Sequence, residues 1–232
     1  MQPRRLVQHR LGDAWQREAC QDRDGGGKVT PMERQRQGVE GVLGQIKREL
    51  WLVTAADQDR RGGLVATWVS QATLDAEPAI IVVSLATNHF TRELVDASQA
   101  LSLHLIGQRH SEIAFRFASA SGKSQDKFAG LDWTAGLTGA PRIQDVVSWM
   151  DCKVRARLST EDRVYYWAEV VAGEVVTDEP VLTDADWFPM LTPEQLAAIS
   201  GDREHDIKLQ RPQLRNWMEN LPAGLQPARK DS

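Results

Sequence analysis

The feature that most constrains this chain is a change of hydrophobic period at Leu50. Upstream, apolar residues are sparse or fall at helical spacing. Downstream they gather in short runs rich in Val, Ile, Thr and Trp: LWLVTAA (50–56), LVATWVSQA (64–72), AIIVVSLA (79–86) and ALSLHLI (100–106). Runs of this length, bounded by DQDRRGG and TLDAEP, read as strands between turns. The segment 151–160 alternates, with Cys152, Val154, Ala156 and Leu158 on one face and Lys153, Arg155 and Arg157 on the other. Residues 163–177 are long enough for a strand that bends around a barrel at Gly173. Helices fit 90–98, where Phe90, Leu94 and Ala97 share a face, and 110–120, with Ile113, Ala114 and Phe117 inward. Many strands, few helices and short connections predict a mainly β fold, an antiparallel barrel carrying peripheral α-helices.

The flanks differ from this centre. Residues 1–40 read as a partly disordered N-terminal arm, 41–188 as the barrel domain, and 189–232 as a C-terminal helical extension and tail. Within the arm, Thr30-Pro31-Met32-Glu33 has the order of a capping box, followed by Val39, Leu43 and Ile46 at helical spacing, although Gly38, Gly41 and Gly44 weaken that helix. At the other end Thr192-Pro193-Glu194-Gln195 repeats the cap, and Gly201 offers a stop. Pro212, Leu214, Trp217, Met218 and Leu221 then outline a separate short helix.

Composition excludes several classes of function. A net charge of -4 over 232 residues argues against a nucleic-acid binder. No run approaches the roughly 18 apolar residues of a membrane span, and the N-terminus lacks a secretory apolar core, so a cytoplasmic protein is expected. Cys20 and Cys152 form no CxxC pair, and the five histidines form no ligand pair, so no metal site is expected. The Gly that a phosphate loop needs five residues before Gly122 is Phe117, Lys28 has no strand ahead of it, and neither GxGxxG after a strand nor GxSxG occurs. Eight of the fifteen aromatic residues are Trp. Trp51, Trp149 and Trp167 fall on strands where a core role is expected.

One constellation carries chemistry. Between Leu64 and Pro78 a strand runs into a polar loop, placing Thr67, Ser70 and Thr73 hydroxyls, the Gln71 amide and the Trp68 indole near backbone groups that a ladder no longer uses. Such a strand end can face a flat heteroaromatic ring and a phosphate. Downstream, Thr87-Asn88-His89-Phe90-Thr91-Arg92 leads from a buried strand into a helix, a junction that suits an anion with Arg92 as counter-ion. The plainer alternative makes the hydroxyl residues strand formers and Asn88 a helix cap.

The stretch ATWVSQATLDAEPAIIVVSLATNHFTRELVDASQALSLHLI resembles the flavin reductase-like family of FMN-binding split β-barrels, notably the flavin reductase domain attached to cyanobacterial flavodiiron proteins. Asp126–Leu131, Gly139-Ala140-Pro141 and Trp149–Val154 are similar to further family blocks, so that the resemblance covers roughly residues 42–180. It implies a six-stranded split barrel, a homodimer, FMN near the subunit interface and NADH or NADPH as co-substrate. By resemblance, Thr67, Trp68, Val69, Ser70 and Gln71 face the ring and ribityl chain, and Ala72 and Thr73 approach the phosphate. Asn88, His89 and Thr91 help to hold the phosphate end, while Lys127 and Phe128 border the flavin. Many relatives read Gly-Asp-His where this chain has Glu161-Asp162-Arg163. Asp162 and Arg163 are therefore nicotinamide-side candidates, with Arg163 open to pairing with a nucleotide phosphate or the reduced ring, or to being a solvated hairpin residue. The chemistry implied is hydride transfer from nicotinamide to flavin N5. Electrons then pass to free flavin, oxygen or a protein acceptor such as a monooxygenase. A non-catalytic FMN electron-transfer module is the other reading.

Overall fold

A computed structural model of the chain describes residues 30–119 and 122–226. Residues 1–29, which hold most of the expected arm, lie outside it. Helix α1 (Pro31–Leu43) begins where the capping box placed it. Glu33 N–H donates to Thr30 Oγ1 at 3.2 Å, and Thr30 N–H to Glu33 Oε2 at 2.7 Å. The helix buries none of its residues.

The β order follows the sequence pattern closely. Strands β1 (Trp51–Asp57) and β2 (Arg60–Ala66) form a hairpin closed by Gln58 and Asp59, with Gln58 at φ 54°. After β3 (Val69–Gln71) and β4 (Ile80–Ala86) come helix α2 (Phe90–Ser98), β5 (Ala100–Leu105) and helix α3 (Ser111–Ser119). A small hairpin of β6 (Trp133–Ala135) and β7 (Pro141–Ile143) precedes the long pair β8 (Ser148–Ser159) and β9 (Arg163–Val175). Helices α4 (Asp184–Trp187) and α5 (Pro193–Glu219) follow.

The main antiparallel sheet runs β2-β1-β5-β8-β9-β4-β3. Its two edge strands, β2 and β3, are consecutive in sequence and separated only by Thr67 and Trp68. Three peptide steps span at most about 11 Å, so the sheet must curl until its edges nearly meet. This is a split barrel, with Thr67-Trp68 crossing the split. The sheet has seven strands rather than the expected six, because the single run read over 64–72 is cut at that crossing. The long hairpin bends mainly at bulges, which leave Val171 and Arg155 without cross-strand partners. Gly173, where the bend was expected, pairs with Met150, and a Cβ there would lie 3.1 Å from the Trp149 carbonyl oxygen.

Period-two alternation gives the central strands two buried faces. Val53, Ala55, Leu101, Leu103, Val83, Leu85, Cys152 and Tyr166 fill the barrel together with Leu94 and Val95 of α2. From the opposite face of β1, Leu52, with Leu50 just before the strand, meets Phe117 of α3, Phe128, Ile143, Val146 and Trp187 in a second core. Trp51 packs against the first core and Trp149 against the second, whereas Trp167 is 36% exposed and belongs to neither.

The C-terminal region corrects the sequence reading. Instead of a stop at Gly201 and a second helix from Pro212, one 27-residue helix spans both. A Cβ at Gly201 would meet nothing within 4 Å. Side-chain bonds to the barrel lie on both sides of Pro212, whose local cost in a helix interior is about 3 kcal/mol. None of the described helices is long and apolar enough to cross a membrane.

Candidate functional site

The crossing at the split builds the site. Trp68 leaves β2, and its carbonyl accepts Ser84 N–H at 3.0 Å, joining the register in which Val69, Ser70 and Gln71 pair with Val83, Val82 and Ile81. Ser70, Gln71 and Ala72 stay exposed. The Thr73 hydroxyl turns inward, accepting Ile80 N–H at 2.9 Å and lying 3.1 and 3.2 Å from the Asp75 and Pro78 carbonyls. Gln71 Nε2 donates to Thr73 O at 2.6 Å. The loop after β3 is thus ordered by its own side chains.

Trp68, 48% exposed, is covered on one face by Arg163, whose guanidinium carbon stands 3.9 Å from a ring centroid. Arg163 is not a solvated hairpin residue. Its side chain is 14% exposed and donates to Asp162 Oδ2 at 3.0 Å, Ser84 Oγ at 3.3 Å and Gln210 Oε1 at 2.9 Å. Asp162, 4% exposed, also accepts the Thr160 hydroxyl at 2.7 Å. Its carbonyl receives Thr87 N–H and Oγ1, tying the β8–β9 turn to the end of β4. Asp162 and Arg163, adjacent in sequence, thereby join the strand end to the junction before α2.

At that junction His89, not Asn88, is the helix N-cap residue, and its side chain makes no capping bond. Asn88 Nδ2 donates to Asp206 Oδ1 at 2.8 Å, and His89 Nε2 lies 3.2 Å from Asp206 Oδ2. Thr91 is buried at 3% exposure. Arg92, expected as an anion's counter-ion, is committed elsewhere: Nε and Nη2 donate to Thr87 O, and Nη1 to Asp96. Burial pushes the Asp96 carboxyl up, but hydrogen bonds from Arg92, Tyr166 and Arg157 together hold it below its ordinary value.

Lys127 and Phe128 sit apart from this group. Lys127 Nζ donates to the carbonyls of Gly63 and Phe117 at 3.0 and 2.8 Å, and burial lowers its pKa to about 8. Phe128 is 2% exposed and packs edge-on against Phe117. Both brace β2 from the second core. Cys152 is buried, and desolvation pushes its thiol up to about 12, which makes it a poor nucleophile.

Sequence reasoning missed Asp206, Gln210 and Asn216. They sit on α5, where nothing local distinguishes them from other polar helix residues. The signal available was the place of Asp206 and Gln210 in a stripe with Leu196, Ile199 and Trp217.

A curled antiparallel sheet whose edges meet at an exposed strand end, beside a stacked indole–guanidinium pair, defines the class: a split β-barrel. Residues 43–188 match the flavin reductase like domain, and the chain belongs to that family. It is 29% identical over 148 residues to the Ferric-chelate reductase (NAD(P)H) of Archaeoglobus fulgidus, covering 63% of this chain and 86% of that protein. It is also 25% identical over 191 residues to the Flavin-dependent monooxygenase, reductase subunit HsaB, of Mycobacterium tuberculosis, covering 82% and 92%. Diflavin flavoprotein A 1 of Synechocystis sp. is 24% identical over 66% of this chain, which spans only 26% of that longer protein. The crystal structure of a flavin reductase domain protein from Arthrobacter sp. FB24 superposes with a TM-score of 0.56 at 25% identity, over 63% of this chain and 91% of that one.

Proposed function

We propose that the chain is an FMN-binding, NAD(P)H-dependent oxidoreductase of flavin reductase type. The observation that carries this is the split itself: the exposed Ser70, Gln71 and Ala72 follow an indole backed by a fixed cation, on the domain that matches the family. The donor set fits a flavin. Ser70, Gln71 and the free edge of β3 offer hydrogen bonds to a ring and a polyol, Trp68 offers a stacking face, and Asn88 and His89 offer N–H groups to a phosphate. Ser70, Gln71, Asn88 and His89 would hold the flavin, which would supply hydride-accepting redox chemistry.

The protein's part is positional. Arg163, held from three sides, keeps a permanent positive charge beside Trp68 and favours a ligand that gains negative charge. Thr73 fixes the loop so that the Ala72 backbone keeps one orientation. Lys127 and Phe128 act from beneath, by holding β2 in place. The nicotinamide requirement rests on the named activity of the archaeal relative, and a monooxygenase as electron acceptor on the mycobacterial one. A homodimer fits the exposed Trp167, Val175 and Val176 along β9 and just beyond it. Arg163 in place of the family histidine favours the second reading, an FMN electron-transfer module that ignores nicotinamides.

Reconstitution with FMN followed by anaerobic NADH or NADPH separates these. A yellow protein that bleaches with either nucleotide is expected. Flavin absorbance that persists leaves only the second reading, and failure to take up FMN removes both. Ser70→Asp is expected to weaken FMN binding about tenfold, through roughly 1.4 kcal/mol of like-charge repulsion with the anionic ligand; unchanged retention would mean that the flavin does not lie along the β3 end.

A further inference from the structure

The donors read above as the phosphate end are already engaged by the chain's own carboxylate. Asp206 takes both Asn88 Nδ2, at 2.8 Å, and His89 Nε2, at 3.2 Å, while four residues on Gln210 holds Arg163 and further on Asn216 donates to both oxygens of Glu161. The face of α5 turned to the barrel is the stripe Leu196, Ile199, Asp206, Gln210 and Trp217, half-buried positions three, four or seven residues apart and so on one helical face. Its ends are apolar and its middle is polar. A permanently packed helix buries an apolar stripe, yet α5 buries no residue fully. Its central contacts are hydrogen bonds that water or a ligand can replace.

A carboxylate and a phosphate present the same anionic oxygens to the same N–H donors, and both cannot occupy them together. We propose that Asp206 is an internal occupant of the anion position formed by Asn88 and His89, so that α5 competes with the ligand's phosphate and sets its affinity. This rests on the flavin reading of the site. Binding of FMN then displaces Asp206 and loosens the middle of α5. By reciprocity, any partner that lifts α5 raises flavin affinity by the same factor.

The test is titration of wild type, Asp206→Asn and Asp206→Ala with FMN and with riboflavin, followed by flavin fluorescence. The asparagine variant keeps the shape and one acceptor of the native side chain, which guards against misfolding. Both variants are expected to bind FMN more tightly, by about tenfold for a coupling of ordinary size, with riboflavin affinity unchanged because it carries no phosphate. Amide exchange across 202–216 should quicken when FMN saturates the wild type. Equal or weaker FMN binding in both variants, or an equal gain for riboflavin, overturns the proposal, as does exchange that slows or stays constant. Equal FMN binding by all three proteins sinks the competition alone, whereas no flavin binding by any of them sinks the flavin reading with it.

Discussion

Arg163 shows how one side chain can join parts of the chain that the sequence keeps far apart. It stacks on Trp68 from the split, shares charge with its neighbour Asp162, and reaches Ser84 of β4 and Gln210 of α5. Both members of the Asp162–Arg163 pair are largely removed from water, so deleting one leaves the other poorly compensated. Arg163→Ala is expected to cost about 2–3 kcal/mol in urea unfolding, with Arg163→Lys recovering part of it. A loss below about 0.5 kcal/mol would mean that the Thr160 hydroxyl alone satisfies Asp162. Sequence marked Arg163 as a departure from the family pattern and a nicotinamide-side candidate. Its stacking partner could not be read there, because Trp68 and Arg163 meet only once the sheet has curled. Arg92 failed in the opposite sense: a cation beside a helix N-terminus suits an anion, but its own Thr87 carbonyl and Asp96 were within reach.

Elements were more legible than their partners. Both capping boxes, at Thr30–Glu33 and Thr192–Gln195, formed as read, because a cap is satisfied within four residues. Breakers were less reliable. Gly201 and Pro212 did not stop α5, which carries side-chain bonds to the barrel from Asp206, Gln210 and Asn216. In β2 the glycines answer to packing. A Cβ at Gly63 would lie 2.5 Å from the Phe117 ring and 2.9 Å from the Val53 carbonyl oxygen, neither of which can move freely in a filled core. Gly63→Ala is therefore expected to destabilise by about 1–3 kcal/mol, seen as a lower Tm. Gly201→Ala, on the open face of α5, should stabilise by about 0.5–1 kcal/mol. Equal effects at the two sites would contradict the packing account.

At the scale of the molecule, the two cores are stitched together by buried polar groups, among which His104 ties three strands. It lies on β5 with no exposure, its Nδ1 3.1 Å from Leu52 O of β1 and its Nε2 3.1 Å from Ile143 N of β7. This arrangement requires the neutral ring, with the proton on Nδ1. Burial lowers its pKa to about 4, against 6.5 for the ordinary imidazole. Between those values the unfolded chain binds a proton that the folded chain refuses. Stability from this group is thus complete above about pH 6.5 and falls as pH drops toward 4, by up to about 3 kcal/mol. Urea unfolding at pH 7.5, 6 and 5 should show that slope, and His104→Gln should flatten it. An unchanged slope in the variant would assign the effect to other groups. The sequence by itself determined most strand runs, the helices beginning at Pro31 and Phe90, the caps and the family, because period, turn chemistry and motif order are local. Only tertiary structure decided that the sheet closes at Thr67-Trp68, that Arg163 is a buried clamp, and that α5 lies across Asn88 and His89. Those facts depend on which distant groups meet, and spacing along the chain does not encode that.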